Sequence, residues 1–419
     1  MFKHRSAIGV WINDVRNTAF QTNNWPPMIW DDETEKSLRF CIDKLSLWGY
    51  NQLCLWGLLN SYSWPVEFLL KSYNPEPERL KKVCGIIDYA HRMGIKIIYG
   101  LGIYSWGFQE IIRQNSSVKG SSDTAICGSQ EASFELVTSI IDFIFKTLDV
   151  DGLHFESADQ GRCRCTRCAQ KDDFNYHCGI NSRVAAYVKQ NWSDKIVMVN
   201  MISWQSWDRK VMDSNAPELH MLKELGEYVD YIIDPGHIGN YVDEDVIPSL
   251  VELLPCDFGN AGGFWTYFWP AYNRLRVFLP YTRTAYEAIR KLYFAGGRAM
   301  EYYTGPIINP GVEINTAFAG YIMNHIDTSY DEALEYVVSD VFQPKSNYTM
   351  KLIASIVERT ENAWFTHWTG KPPLSWKSDS NVTFDDFDKY RHSEKSRPSQ
   401  IFFDDVKHLT DYMDSEQWP

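Results

Sequence analysis

Residues 51–59 read NQLCLWGLL, and after a loop residues 77–94 read PERLKKVCGIIDYAHRMG. The first stretch is short and apolar, which is typical of a buried strand. In the second, apolar residues recur at the i, i+3, i+4 spacing of one helix face, and a glycine follows the last of them. These residues are Leu80, Val83, Cys84, Ile87 and Ala90, with Gly94 at the end. The two stretches therefore predict a strand followed by an amphipathic helix.

The same strand–helix pair repeats on both sides of these residues. Upstream, the strand-like residues 7–15 precede a helical pattern over residues 33–50. Downstream, six more pairs follow: 96–106 with 131–148, 150–159 with 180–191, 195–204 with 218–228, 230–237 with 243–254, 256–268 with 282–297, and 298–306 with 314–325. About eight such units in roughly 325 residues predict an α/β fold of the (β/α)₈ TIM-barrel type.

A doubly wound open sheet is the alternative fold. It would place a G-x-G-x-x-G motif after the first strand, and that motif is absent there. The Gly-Leu-Gly at residues 100–102 is too short to replace it. The barrel is therefore the better interpretation.

Beyond the barrel pattern, the sequence predicts a second part of the chain. We assign residues 1–327 to the barrel and residues 328–419 to a helical C-terminal extension packed on it. Helical patterns cover residues 329–342 and 350–365, and the polar residues 377–399 are typical of a loop.

Composition excludes several classes of function. The chain has 41 Lys and Arg against 54 Asp and Glu, a net charge of −13, which argues against a nucleic-acid partner. No apolar run approaches the length that a membrane helix needs, so we expect no membrane partner. The first residues lack the pattern of a secretory signal, so we expect a cytoplasmic protein. Oligomeric state is not indicated.

Aromatic content points toward carbohydrate. The chain is 15% aromatic, with 16 Trp, 24 Tyr and 22 Phe. Flat aromatic faces with a polar edge suit sugar rings, although the same residues also fill protein cores. In a barrel the site lies at the carboxyl ends of the strands, so aromatic and polar residues at those positions are the candidates.

Glu156 is the sharpest candidate, because its carboxylate comes just as the apolar fourth strand ends. A partly buried acid there can donate a proton near neutral pH. Glycoside hydrolysis needs such a donor and a second carboxylate, for which Asp234 and Glu301 are the candidates. Each of the three could instead be a structural strand-end carboxylate that holds a cation or a helix N-terminus.

Further strand-end residues are candidates for binding a sugar. Five tryptophans fall at or just beyond strand ends, and their indoles would stack on sugar rings. Polar residues at strand ends would hydrogen-bond its hydroxyls, although each histidine could equally be a barrel residue with its partners satisfied. The set is Trp11, Trp56, Trp106, Trp204, Trp265, Asp14, His154, Asn200, His237 and Tyr302.

Four of the nine cysteines crowd into residues 163–178. Cys163, Cys165 and Cys168, with Cys178 or His177 as a fourth ligand, would form a tetrahedral structural zinc site in the loop after the fourth strand. Free thiols or one loop disulfide are the alternatives. We expect no cofactor for catalysis, because a catalytic zinc would favour His and carboxylate ligands and no H-x-H or H-E-x-x-H motif is present.

The segment VDGLHFESADQGRCRCTRC, residues 150–168, resembles the fourth-strand region of bacterial barrel glycoside hydrolases related to the family 20 β-hexosaminidases and family 67 α-glucuronidases. The helix SYDEALEYVVSDVFQP, residues 329–344, is similar to the one that follows the barrel in those relatives. The resemblance implies that Glu156 is the general acid and that the second carboxylate falls near Asp234. Family 20 enzymes carry an adjacent Asp-Glu pair, whereas Phe155 precedes Glu156 here.

We therefore expect an exo-acting glycoside hydrolase of hexosaminidase, glucuronidase or sialidase type, with an oligosaccharide or glycoside as substrate. The loop arginines Arg162, Arg164 and Arg167 would pair with the carboxylate of an acidic sugar, unless they form only a solvated basic loop. The alternative function is a non-catalytic carbohydrate-binding barrel that kept the aromatics and lost an acid.

Overall fold

A computed structural model describes residues 1–8, 30–60, 63–157, 161–201, 204, 217–234, 247–263, 280–304 and 310–368. Eight parallel strands form a closed barrel in which each strand pairs with its neighbours in chain order and β8 pairs with β1. The strands are β1 His4–Ile8, β2 Gln52–Leu55, β3 Lys96–Gly102, β4 Gly152–Glu156, β5 Ile196–Asn200, β6 Tyr231–Asp234, β7 Asp257–Gly263 and β8 Ala299–Tyr303. The predicted (β/α)₈ barrel is confirmed.

Helices occupy the connections between the strands and surround the barrel. They are α1 Asp32–Leu47, α2 Pro77–Arg92, α3 Gln109–Gln114, α4 Glu131–Thr147, α5 Asp173–Asn191, α6 Pro217–Gly226, α7 Ile247–Leu253, α8 Thr282–Phe294 and α9 Pro310–Asn324. Because the barrel interior covers one face of each strand and the helices cover the other, a strand such as β4 is buried at every residue. This explains why the strands are apolar runs instead of alternating patterns.

Two helices differ most from the sequence-based prediction, while the bounds of several others shift by three or four residues. Helix α5 begins at Asp173, well before the predicted residue 180, because the side chain of Asp172 caps it by accepting the Asn175 backbone N–H at 2.7 Å. Its first turns carry too few regularly spaced apolar residues to show in the hydrophobic pattern. The short helix α3, in the loop after β3, was not predicted.

Two further helices follow the barrel, α10 Tyr330–Phe342 and α11 Asn347–Trp368. A capping box formed by Ser329 and Glu332 starts α10. The buried carboxylate of Glu361 on α11 accepts the backbone N–H groups of Thr282, Arg283 and Thr284 at 2.7–3.0 Å, which caps α8 and attaches the extension to the barrel. Residues 369–419, including the predicted loop, lie outside the described residues, and the division at residue 327 stays a prediction.

Polar side chains from three strands meet in the amino-terminal half of the barrel interior. The imidazole of His4 stacks on the ring of Tyr231 at 4.1 Å, and the hydroxyl of Tyr231 donates to Gln52 Oε1 at 2.6 Å. At the start of β7, Asp257 Oδ2 lies 2.7 Å from Lys3 Nζ and 3.0 Å from His4 Nε2. One carboxylate therefore ties β7 to β1 across the intervening β8.

The Asp257 contacts predict an acid-sensitive contribution to stability. The hydrogen bond from His4, together with Lys3, lowers the pKa of Asp257 to about 2 although burial opposes the shift. A lowered folded-state pKa stabilises the fold fully above the ordinary aspartate pKa of about 3.9, and this stabilisation is lost as the pH falls toward 2. We expect Asp257→Asn to reduce the free energy of unfolding at pH 7 by about 1–2 kcal/mol.

Urea unfolding of both proteins between pH 7 and pH 2.5 measures this effect. The difference between Asp257→Asn and the parent should shrink as the pH falls below about 4. Asp149→Asn is the matched control, because Asp149 has 80% of its side chain exposed and its contacts are 4.0 Å long. A difference that stays constant over the whole pH range would contradict the assignment.

Among the helices of the described residues, none combines the length and apolar character required to cross a lipid bilayer.

Candidate active site

Glu156 ends β4 at the carboxyl end of the barrel. It is in register with Gly102 of β3 and Asn200 of β5. Residues in register on parallel strands point to the same face, and His154, two residues earlier, shares that face. His154 and Glu156 are both buried, and the following contacts place this face in the barrel interior.

Glu301 on β8 meets these residues inside the barrel. Its Oε1 accepts the Asn200 amide at 3.0 Å, and its Oε2 lies 3.0 Å from His154 Nε2. The latter pair is close but poorly aligned for a hydrogen bond, so we treat it as an electrostatic contact. Glu301, His154 and Asn200 are fully buried, so this group joins three strands through polar contacts in the core.

Tyr303, two residues beyond Glu301, belongs to the same group. Its hydroxyl accepts from the Asn200 amide at 3.4 Å. Burial, followed by the negative charges of Glu301 and Glu156, raises the pKa of Tyr303 well above its usual range. The phenol therefore stays protonated and can donate a hydrogen bond toward a carboxylate.

The same carboxylates act on Cys54 of β2. Burial, then the charges of Glu301 and Glu156, raises the pKa of its thiol well above the usual range. The charges of Glu156 and Glu301 thus act on the same two interior residues, Cys54 and Tyr303.

Two indoles cover this group. The rings of Trp56 and Trp106 lie 5.8 Å apart, and Trp56 meets His154 edge-on at 5.7 Å. The indole N–H of Trp106 donates to Glu156 Oε1 at 3.0 Å. These two predicted sugar-binding tryptophans are therefore next to the predicted acid.

A strained turn after β3 positions Trp106. Tyr104 and Trp106 have φ values of 67° and 64°, in the left-handed region that side chains rarely adopt. A Cβ at Gly102 would come within 2.0 Å of the Ser105 carbonyl oxygen, so this close turn requires glycine there. Strain of this kind typically marks functional sites. The turn is thus a further sign of function that sequence reasoning did not detect.

Strand register places Asp234 on the opposite face. Asn200 is in register with Ile233, so the next residue, Asp234, points to the opposite face of the sheet. On that face Asp234 is in register with Asn260 of β7. Asn260 in turn is in register with Met300, the neighbour of Glu301. Within the described residues, the register therefore favours Glu301 over Asp234 as the partner of Glu156.

Two of the residues predicted to bind sugar lie away from this group. Tyr302 alternates with Glu301 and so faces the outer layer of the barrel, while the neighbouring Tyr303 faces the interior. Trp204 is buried, its indole N–H donates to Ser157 Oγ at 3.0 Å, and its ring stacks against His177 of α5. It therefore packs behind the β4 loop and supports it.

Solved structures have the same architecture. A mutant of the O-GlcNAc hydrolase from Thermobaculum terrenum superimposes with a TM-score of 0.57 at 10% identity, over 99% of this chain and 78% of that chain. The structure of CpGH84B gives a TM-score of 0.53 at 10% identity, over 100% and 71%. This chain shares their barrel fold. No protein-family model and no curated protein matches the sequence.

The loop arginines contact acidic residues of the protein itself. The buried guanidinium of Arg162 pairs with Asp173 of α5 and donates to the backbone oxygens of Cys168 and Lys171. Arg164 pairs with the same aspartate at 3.1 Å. These two arginines hold the loop against α5, so a role in binding an acidic sugar has no support from their contacts.

The cysteine cluster has a different fourth member from the one predicted. The thiols of Cys163, Cys165 and Cys168 meet that of Cys127, and all four sulfurs lie within 4.8 Å of one another. Cys178 is instead buried within α5, outside this group, as is His177. Helix α4 and strand β4 separate Cys127 from the other three cysteines along the chain, so the local cysteine spacing held no signal for it.

Four predicted site residues lie outside the described residues: Trp11, Asp14, His237 and Trp265.

Proposed function

We propose that this protein is a glycoside hydrolase that removes a terminal sugar, with Glu156 as the proton donor. The observation that supports this most strongly is the arrangement of two buried carboxylates, Glu156 and Glu301, beneath two indoles at the carboxyl end of a (β/α)₈ barrel. Paired carboxylates are the chemical requirement for hydrolysing a glycosidic bond.

Glu156 suits the role of the acid. Glu156 is only 7% exposed, so its carboxyl group is shielded from bulk water at the end of β4. The Trp106 indole holds Oε1 and so orients the carboxyl plane. A proton donor fixed in one orientation can protonate the glycosidic oxygen without first reorganising.

Glu301 suits the role of the second carboxylate. The Asn200 amide donates to its Oε1 at 3.0 Å, which holds the carboxylate in one orientation for a role as nucleophile or base. Asp234 remains the alternative that the resemblance to family 67 implies. The resemblance to families 20 and 67 itself stays a prediction.

For the substrate, we propose a neutral hexosaminide first. A neighbour in fold is an O-GlcNAc hydrolase, and hexosaminidase is among the activity types that the sequence predicts. Uronic and sialic acids come second, because Arg162 and Arg164 are paired with Asp173. We expect Trp56 and Trp106 to stack on the sugar ring.

A screen of purified protein against 4-nitrophenyl glycosides tests the proposal. The panel includes N-acetylglucosaminides, N-acetylgalactosaminides, uronides, a sialoside and neutral hexosides in both anomers, and released sugar is identified chromatographically. Turnover of one member supports the proposal. Binding of sugars without turnover of any, measured by quenching of tryptophan fluorescence, would favour the carbohydrate-binding barrel instead.

A further inference from the structure

Four cysteine thiols from two loops meet beside the candidate active site. Cys127 lies in the loop between α3 and α4, and the other three, Cys163, Cys165 and Cys168, lie in the loop after β4. Cys127 Sγ is 3.7 Å from both Cys165 Sγ and Cys168 Sγ. A disulfide would need about 2.05 Å, so the thiols are close but not bonded to one another.

The spacing of the sulfurs matches a single tetrahedral ion. Zinc binds thiolate sulfur at about 2.3 Å, which places two sulfurs of a tetrahedron roughly 3.8 Å apart. The separations of 3.7 Å agree with that value, and the whole group falls within 4.8 Å. Four protein ligands would leave no open position, so a zinc held here would be structural.

The surroundings of the thiols also suit metal-bound thiolates. The backbone N–H of Ser121 points to Cys163 Sγ at 3.5 Å, and the Ser129 hydroxyl lies 3.1 Å from Cys127 Sγ. A Cβ at position 120 would lie 2.2 Å from Cys163 Sγ. Only glycine, which has no side chain, therefore allows the backbone at this position to approach the sulfur so closely. Such outer contacts orient metal ligands and moderate their charge.

The buried guanidinium of Arg162 contacts the loop that carries three of the cysteines. It donates to the backbone oxygen of Cys168. Its Cζ also lies over the aromatic ring of Tyr176, 4.7 Å from the ring centroid. Tyr176 in turn accepts the backbone N–H of Gly128, beside Cys127, at 3.1 Å. Arg162 and Tyr176 thus hold the two cysteine-bearing loops together beside the four sulfurs.

We propose that Cys127, Cys163, Cys165 and Cys168 bind one structural zinc ion that joins the loop after β3 to the loop after β4. The joined loops are those that build the candidate site. The Ile126 N–H donates to the Tyr104 carbonyl at 2.8 Å, within the turn that carries Trp106. Ser105 Oγ donates to the Ser157 carbonyl at 3.1 Å, directly after Glu156.

Metal analysis of the full chain tests this proposal. Protein purified under reducing conditions, without chelator or a metal-affinity column, should contain about one zinc per chain by plasma mass spectrometry. Exchange with Co²⁺ should produce the intense sulfur-to-cobalt charge-transfer absorption and the visible bands of a tetrahedral thiolate site. Both measurements are independent of glycosidase activity, so they hold or fail separately from the proposed function.

Two matched cysteine variants identify the ligands. Cys127→Ser should retain less than about a tenth of the zinc, because one of four ligands is lost. Cys178→Ser replaces an equally buried cysteine outside the cluster and should keep the full complement. If Cys127→Ser does not fold, titrating the parent protein with a mercurial reagent should release its zinc as the cluster thiols react.

Several results would overturn the proposal. They are a purified protein that holds no zinc and gives no cobalt spectrum, iron in place of zinc, disulfides among the four cysteines, or full zinc retention in Cys127→Ser. Loss of zinc from Cys178→Ser alone would instead support the ligand set based on local spacing.

Discussion

Glu156→Gln is expected to lower kcat by about 10²–10⁴-fold on the glycoside that the protein hydrolyses, with a much smaller change in KM. Glutamine preserves the size of the side chain and its oxygen can still accept the Trp106 N–H. It cannot donate an acidic proton to the leaving group. The loss therefore falls on the chemical step and not on binding.

The dependence on the leaving group makes the test specific for a proton donor. A nitrophenol departs with little assistance, whereas a sugar or alkyl alcohol requires protonation. The variant should therefore lose far more activity on an alkyl glycoside or disaccharide than on a nitrophenyl glycoside. An equal loss on both would mean that Glu156 acts in some other way.

Glu110→Gln is the matched control for this variant. Glu110 lies on α3, in the same loop as Trp106, and pairs with Arg113 at the surface. Its removal should leave kcat within about twofold, since surface substitutions usually change little. A large effect in the control would show that the loop responds to any loss of charge.

The second large effect is expected in stability. Glu301→Ala should reduce the free energy of unfolding by about 3–5 kcal/mol, because it removes the acceptor for the Asn200 amide and leaves buried polar groups in a cavity. Glu301→Gln keeps the shape and one acceptor oxygen, so its effect should be less than half as large. Urea unfolding at pH 7 compares the two variants with the parent.

Glu131→Gln serves as the stability control. Glu131 has 63% of its side chain exposed in its pair with Arg183, and we expect a change within about 0.5 kcal/mol. A parent-like unfolding midpoint for Glu301→Ala would contradict the buried contacts.

Activity of the folded Glu301→Gln variant then separates structure from chemistry. If Glu301 is the second carboxylate, this variant should lose turnover although its stability is largely kept. Full turnover would remove Glu301 from the proposed mechanism and leave Asp234 as the candidate.

The eight strand–helix units could be predicted from the sequence because hydrophobic periodicity is a local property. An apolar run followed by a helical stripe is visible in residues 51–59 and 77–94 without knowledge of any distant contact. The position of Glu156 at a strand end was predictable for the same reason, since the apolar run of β4 stops there.

Only the tertiary structure decided which strand-end residues share a face. The side of the barrel that a residue faces depends on its register with neighbouring strands, and a shift of one residue reverses it. That is why Tyr303 and not Tyr302 joins Glu301, and why Asp234 and Glu301 could not be ranked from sequence. The Trp106–Glu156 contact likewise depends on a strained turn that leaves no clear sequence pattern.

The cysteines show the same division. Local spacing identified Cys163, Cys165 and Cys168 as a group, because three thiols within one short loop must lie near one another. The fourth thiol, Cys127, comes from another loop and reaches the group only when β3 and β4 pair side by side. Sequence thus determines the units and their candidate chemistry, and the packing of those units decides which side chains meet, because contacts between distant segments arise from closure of the barrel.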